Sequence, residues 1–300
     1  MQALAAKLLE IERLARGSKF ARLLADPVRY ISAIGFWRLV YPLTKRGRYA
    51  KVPTFFGATM ELVLPSATEI YLFGAKTHDS EIRLARFLMK NLNAGDTFCD
   101  VGAHFGYFSL LASQLVGGGG RVIAFEASLS TFAILERNLR PHPNTTPLHR
   151  AASSANTTLT FHEFPALYSE YNSLTPDAGA VWMKNNPSSP IEVQGVRLSD
   201  YFRDENIQPK IIKIDVEGAE PQVLMGLQPY LEEHPTTIII MEYLATSKQN
   251  EAHEVAARLL QDIGYQAFTI EKNGEITPCG NIGTAMSLIG LDSDNIVFHR

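Results

Sequence analysis

The sequence predicts an α/β fold, a mostly parallel sheet with helices on both faces, preceded by a helical N-terminal extension. Three observations carry that reading. Helix-like and strand-like patterns alternate along the second half of the chain. The strands at 97–101, 121–125, 211–216 and 236–243 are near-continuous apolar runs, the pattern of strands covered on both faces. Finally, Thr97-Phe98-Cys99-Asp100-Val101 runs into a glycine-punctuated turn, a helix and a second strand ending on Glu126. That order is the opening unit of a doubly wound sheet.

Taken in order, residues 1–50 read as helices, with Leu4, Leu8, Leu9 and Ile11 at helical spacing and Asp26-Pro27 as a cap followed by an opening proline. Residues 51–75 suggest a small β-ribbon built from Phe55-Phe56-Gly57, the run from Glu61 to Pro65 and the run from Ile70 to Gly74. A helix over 78–91 presents Ile82, Leu84, Phe87 and Leu88, and Asn93–Asp96 turns the chain into the first core strand. The Gly117–Gly120 run is a turn into the strand at 121–125. Beyond Glu126 we expect a helix at 128–139, a strand at 147–152, and an insertion at 153–195 with short strands near 157–162 and 191–197. Then come a strand at 211–216, a helix at 220–226, a strand at 236–243, a helix at 252–263, a strand at 265–270 and a closing strand at 295–299. The chain divides into a basic extension at 1–50 and a sheet domain at 51–300.

Composition narrows the class. The hydrophobic share of 46% over 300 residues is enough for one large core. Two cysteines build no disulfide framework, so a cytoplasmic protein is expected. Residues 1–51 carry eleven Lys/Arg against three Asp/Glu, a charge of +8, which leaves −11 for the rest. An acidic core argues against nucleic acid as a partner. The basic extension surrounds an apolar stretch, Tyr30 to Tyr41, which fits either packing on the sheet domain or a peripheral membrane contact. His253-Glu254 lacks a second histidine at metal-binding spacing and reads as a solvated helix start.

Glu126 lies 24 residues after Gly102, the separation at which an acid grips the ribose of an adenosine held by the first turn. A dinucleotide fingerprint from Gly102 needs glycines at 104 and 107, where this chain has His104 and Tyr107. Those glycines let a pyrophosphate approach the backbone, so their absence opposes NAD. Asp100, Gly102 and Gly106 instead fit the D-x-G-x-G-x-G pattern of S-adenosylmethionine-binding folds, with His104 the one departure.

A second constellation spans Lys213-Ile214-Asp215-Val216-Glu217-Gly218-Ala219-Glu220. Lys213 and Asp215 share one face of a buried strand, and buried charges need partners, so Lys213 is expected to pair with Asp215 or with Glu242 on the next strand. With Asp100 to Gly106, Ala124-Phe125-Glu126, the Val196–Tyr201 segment and the run from Val223 to Gly226, it resembles the FkbM-type family of S-adenosylmethionine-dependent methyltransferases over roughly 60–300. The family usually has asparagine at the position of His104 and proline at that of Ala127.

The resemblance implies a Rossmann-like class I methyltransferase with a seven-stranded sheet, which transfers a methyl group to a hydroxyl of a sugar, a glycolipid or polysaccharide precursor, or another natural product. It implies a cofactor site at Asp100, Gly102, Ala103, His104, Gly106, Glu126, Ala127, Ser128, Ala152 and Asp215. Asp215, Glu217 and Glu242 are the candidate catalytic groups, with His104 a rival base. The three carboxylates could alternatively hold a hard divalent cation, although no metal is expected. The insertion at 153–195, with His162, Tyr168, Tyr171, Asn172, Trp182 and Lys184, is the expected acceptor region. Two other readings stand beside this one: a nucleotide-sugar or NAD-dependent oxidoreductase, and a non-catalytic membrane-associated scaffold.

Overall fold

A computed structural model describes residues 2–164, 169, 172, 174, 188–245 and 250–300. The N-terminal segment is helical, as its periodicity predicts: α1 (Gln2–Arg16), α2 (Lys19–Ala25) and α3 (Pro27–Gly35), then a π-helical stretch at Phe36–Val40 and the short α4 (Tyr41–Thr44). Asp26 caps α3 by accepting from the Arg29 amide, with Pro27 opening the helix. These helices are not a detached extension. Leu8, Phe36 and Tyr41 belong to the same buried cluster as Phe87 and Leu88. Arg86 bonds Glu12, and Arg16 pairs with Asp79 at 2.7 Å.

A separate hairpin follows, β1 (Arg48–Pro53) against β2 (Thr59–Leu64), so a strand straddles the expected division at residue 50. The third piece of the expected ribbon is a helix instead, α5 (Thr68–Phe73), closed by Gly74 in the left-handed conformation. A short apolar run such as Ile70–Phe73 has no period of its own, and the cap decides it.

From α6 (Asp79–Asn91) the chain builds the main sheet. In order come β3 (Thr97–Val101), α7 (Tyr107–Val116), β4 (Arg121–Glu126), α8 (Leu129–Leu139), β5 (Thr145–His149) and β6 (Ala151–Ala152). Next are β7 (Thr158–Glu163), β8 (Ser189–Val196), α9 (Leu198–Asp204), β9 (Ile211–Ile214), α10 (Glu220–Glu233) and β10 (Ile238–Leu244). The chain finishes with α11 (Glu251–Asp262), β11 (Gln266–Ile270), β12 (Ile276–Pro278), α12 (Ile282–Ile289) and β13 (Ser293–His299). The eight-stranded sheet runs β12-β11-β13-β10-β9-β3-β4-β5, and β6, β8 and β7 form a small sheet of their own. β5, β4, β3, β9 and β10 are mutually parallel, and β13 enters antiparallel. Seven of the eight strands form the expected Rossmann-like sheet. The eighth, β12, is a three-residue antiparallel partner of β11.

Side-chain alternation sorts the core into two layers. Phe98, Val122, Ala124 and Ile211 face the layer of α6, α7 and α8. Cys99, Val101, Ile123, Phe125, Ile212 and Ile214 face the layer of α9, α10 and α11. Phe98, Phe125 and Phe298 are fully buried, each contributing roughly 1.5–3 kcal/mol on removal from water. His253 is buried rather than solvated: it packs from α11 against Glu220 of α10, Nε2 to Oε2 3.8 Å. Sequence local to 253 carries no sign of that neighbour.

One buried ion pair ties α6 to the last strand. Arg83 bonds Asp294 at 2.8 Å and the Ile270 carbonyl at 2.7 Å. Burial pushes the Asp294 carboxyl up, and the Arg83 charge opposes it. Arg83→Ala leaves a buried carboxylate without its cation and should cost roughly 3–5 kcal/mol in urea denaturation. The apolar double variant Arg83→Met/Asp294→Leu should recover most of that loss.

Candidate active site

A cleft of about 360 Å³ opens along the carboxyl ends of the parallel strands, the place where open α/β sheets bind ligands. It runs from Glu126 at the end of β4, past the loop after β3, to Asp215 and Glu217 after β9 and Glu242 on β10.

The loop after β3 is built around Gly102. Its φ is +80°, and a Cβ there would lie 1.8 Å from the Asp215 carbonyl oxygen, so only glycine lets the two strand ends meet. The chain then turns through His104, which has φ +50°, although it is not glycine. The His104 amide donates to Glu126 Oε2 at 2.8 Å, and the Ser128 amide donates to Oε1 at 2.9 Å. Glu126 is thereby fixed in the cleft wall. Burial pushes its carboxyl up to about 7, against the pull of those two amides. It is an acceptor-rich group with apolar neighbours: Phe125, Ala127, Ala151, Ala152 and Phe161 line the same cleft.

The other half of the cleft is a charge array. Asp100 and Lys213 are register partners on β3 and β9, and Ile240, two residues before Glu242, pairs with Lys213 from the other side. Lys213, 4% exposed, bonds Asp215 Oδ2 at 2.8 Å and lies 3.8 Å from Asp100 Oδ1 and 5.6 Å from the Phe108 ring. Burial lowers the lysine, but Asp215 and Asp100 together hold it above its ordinary value, so it stays a cation. Burial also works to raise Asp215, yet the Lys213 charge and hydrogen bond win and hold its carboxyl low. Glu242 is driven well above the carboxylate range by burial, then by the Asp215 charge and by its hydrogen bond to Asp215. Of the two, Asp215 is the group that favours the negative charge and Glu242 the group that favours the proton. Ligand oxygens of Asp215, Glu217 and Glu242 lie within 4.8 Å of one another, as the sequence reading required of a cluster.

His104, the rival base, lies in the cleft wall as an uncharged ring. Burial, with Lys76 and Lys213 nearby, lowers it to about 3, so the ring is neutral and a weak proton acceptor. Its Nε2 lies 3.1 Å from Ser169 Oγ. His104 and Glu217 both hold positive φ without being glycine, a local strain that an over-determined site supports.

Of the residues expected in the site, Gly102, His104, Glu126, Ala127, Ala152, Asp215, Glu217 and Glu242 line the cleft. Asp100, Ala103, Gly106 and Ser128 stand behind its wall. Asp100 is 1% exposed and accepts from Ser109 at 2.6 Å. Ala103 is buried, Gly106 packs beneath Leu135 at φ +87°, and the Ser128 hydroxyl caps α8. Each shapes the loop from inside the fold. In the insertion, Phe161 and Asn172 reach the cleft, whereas His162 is 3.2 Å from Ser188 Oγ. Tyr168, Tyr171, Trp182 and Lys184 lie outside the described residues. Sequence reasoning missed Glu69, Lys76, His78 and Glu81, which close the cleft from α5, α6 and the loop between them, and Ser293 and Asn295 of β13.

The donor set fits an adenosine bearing a cationic centre. Glu126 offers carboxylate oxygens between apolar walls, and Asp215, held low by Lys213, is a negative group at the far end of the cleft; burial pushes the neighbouring Asp100 carboxyl up, and its Oδ1 has no hydrogen-bond partner. A family model described as the methyltransferase FkbM domain matches residues 100–267. A hexuronic acid methyltransferase, AglP, from Haloferax volcanii is 26% identical over 148 residues, 49% of this chain and 56% of that protein, so the chain matches little more than half of this relative's length. Among solved structures, a methyltransferase FkbM from Methylobacillus flagellatus aligns over 80% of this chain and 56% of its own, with 12% identity and a TM-score of 0.42. Fibrillarin from Aeropyrum pernix, with natively bound S-adenosyl-L-methionine, aligns over 72% and 73% with 14% identity and a TM-score of 0.41.

Two outcomes test this geometry. Gly102→Ala should abolish adenosine-ligand binding or folding outright, read by calorimetry and circular dichroism, since the clash is with backbone. Ribose hydroxyls favour the ionised form of Glu126, so below its pKa of about 7 binding must expel a proton. Dissociation constants for S-adenosylhomocysteine should therefore rise about tenfold per pH unit below that value and stay flat above it, and Glu126→Gln should remove the dependence.

Proposed function

The chain belongs to the methyltransferase FkbM domain family, and from that premise we propose that its acceptor is a hydroxyl of a sugar, a glycolipid or polysaccharide precursor, or another natural product. It is an S-adenosylmethionine-dependent methyltransferase. The observation that carries the acceptor reading is the convergence of Asp215, Glu217 and Glu242 in the cleft, with oxygens within 4.8 Å of one another and Lys213 bonded to Asp215. The printed name of the Haloferax relative, a hexuronic acid methyltransferase, supports a sugar.

When bound, S-adenosylmethionine supplies an activated methyl group whose leaving atom is already a sulfonium. The protein's part is alignment and proton management. Glu126 takes the ribose hydroxyls, and Gly102, His104, Ala127 and Ala152 shape the surrounding wall. Asp215 accepts the acceptor's O–H and orients its oxygen. Held low by Lys213, Asp215 is a weak base towards a resting alcohol, so it does not strip the proton early. As the oxygen forms its new bond to carbon, its proton becomes strongly acidic and can pass to Asp215. Glu242 stays protonated and fixes the Asp215 carboxylate. Glu217, at the turn after β9, is the second orienting carboxylate. His104, neutral and bonded at both its amide and its ring, positions Glu126 rather than moving a proton. In this reading residues 51–300 form the catalytic unit, and residues 1–50 are the layer through which it meets a glycolipid acceptor at a membrane.

The reading is tested by incubating the protein with methyl-labelled cofactor and fractions of glycolipids, polysaccharide precursors and small metabolites. Label should enter an alkali-stable ether in a sugar-containing fraction. Tight cofactor binding with no labelled fraction would sink it. With the labelled acceptor in hand, Asp215→Asn should lower kcat by on the order of 10²–10⁴. Glu242→Gln keeps a neutral donor to Asp215 and should lose far less.

A further inference from the structure

The helices preceding the sheet domain carry a surface that the catalytic cleft does not use. Phe20 and Leu24 lie one turn apart on α2, and Val28 and Ile31 one turn apart on α3. Leu39, in the π-helical stretch, and Leu43, on α4, are again one turn apart. All six are exposed, from 63% at Leu24 to 86% at Leu43. The opposite side is spent on the core, where Ala33, Phe36 and Tyr41 are buried. Isolated exposed apolar residues need no explanation, but three such pairs within residues 20–43 do.

The charges along the stripe have one sign. Residues 17–51 contain Lys19, Arg22, Arg29, Arg38, Lys45, Arg46, Arg48 and Lys51 against Asp26 alone, or +7. Among the described residues no carboxylate pairs with Lys19, Arg22, Arg38, Lys45 or Arg46, whereas Arg29 pairs with Asp26 and Lys51 with Glu61. Trp37, half-exposed, sits under the Arg38 guanidinium at 5.9 Å. Among the described residues no helix is long and apolar enough to cross a membrane. An apolar stripe bordered by unpaired cations and an aromatic is the composition of a helix lying in the plane of a bilayer interface.

We propose that α2, α3, the π-helical stretch and α4 together seat this enzyme on an anionic lipid surface. Phe20, Leu24, Val28, Ile31, Leu39 and Leu43 enter the headgroup boundary, and Lys19, Arg22, Arg38, Lys45 and Arg46 meet lipid phosphates. The seat is coupled to the cleft by packing. Arg48 bonds Ser32 of α3 and lies over both Phe36 and Tyr71, the latter on α5. The same α5 carries Glu69 into the cleft wall. The inference deepens the glycolipid branch of the reading above by naming the surface from which such an acceptor would be drawn. The charge excludes a neutral bilayer as an equal partner, and the even spread of like charge disfavours a second copy of this chain on the same face.

The test is flotation of the full chain with vesicles of phosphatidylcholine alone and of phosphatidylcholine mixed with phosphatidylglycerol, at low and high salt. S-adenosylhomocysteine affinity is measured on the same samples. Binding to the anionic vesicles only, weakened by salt, is expected. Lys45→Gln and Arg46→Gln should each weaken it about fivefold, and Val28→Asp/Leu43→Asp should abolish it, all with cofactor affinity unchanged. Equal binding to both vesicle types, no binding to either, or wild-type binding by the aspartate variant would each overturn the proposal. So would a dimer in sedimentation that the aspartate variant dissolves. Cofactor affinity reports separately on the methyltransferase reading, since it can persist while vesicle binding fails.

Discussion

The cleft depends on one buried cation. Lys213 sits mid-sheet, 4% exposed, facing Asp100 from one neighbouring strand and Asp215 from the turn that follows its own. A lysine there is tolerable only because its carboxylates repay part of its lost hydration. That arrangement propagates outward. Lys213 holds the Asp215 carboxyl low, while burial and then the Asp215 charge push Glu242 up, so the negative charge of the pair is concentrated on Asp215. Asp215 also fixes the backbone, because its carbonyl fills the space that a side chain on Gly102 would need. The electrostatics of the acceptor side and the shape of the cofactor loop are therefore set by the same strand end.

The N-terminal helices show how an element can serve two surfaces. Leu8, Phe36 and Tyr41 bind the segment to the core, Arg86 of α6 holds α1 through Glu12, and Arg48 of β1 ties α3 to α5. The residues between those anchors are free to be apolar and exposed. A purely structural layer has no need of Leu39 and Leu43 in solvent, and the basic residues around them give that exposure a physical use.

Much of this was legible in the sequence because the signals were local. The turn after β3, the acid ending β4 and the Lys213–Glu220 run each lie within a few residues and read correctly as one edge of a sheet. Lys213 pairing with Asp215 followed from alternation along a strand. What was missed lies across the fold. Glu69, Lys76 and Glu81 reach the cleft from α5, α6 and the loop joining them, separated by more than a hundred residues from Asp215. His253 gives no local hint that α11 buries it against Glu220. Ile70–Phe73 reads equally as strand or helix until Gly74 closes it. The residue type of His104 suggests a base, whereas its burial, unreadable from the sequence, lowers its ring to about 3. Asp100, expected in the cofactor site, is buried behind the cleft wall, where Ser109 bonds it and Lys213 lies 3.8 Å away.

A crystal structure with S-adenosylhomocysteine bound tests the central claim most directly. The ribose hydroxyls should lie on Glu126, the adenine between Ala127, Ala152 and Phe161, and the sulfur turned towards Asp215, Glu217 and Glu242. A ligand whose ribose leaves Glu126 empty, or whose sulfur points away from those carboxylates, would contradict it.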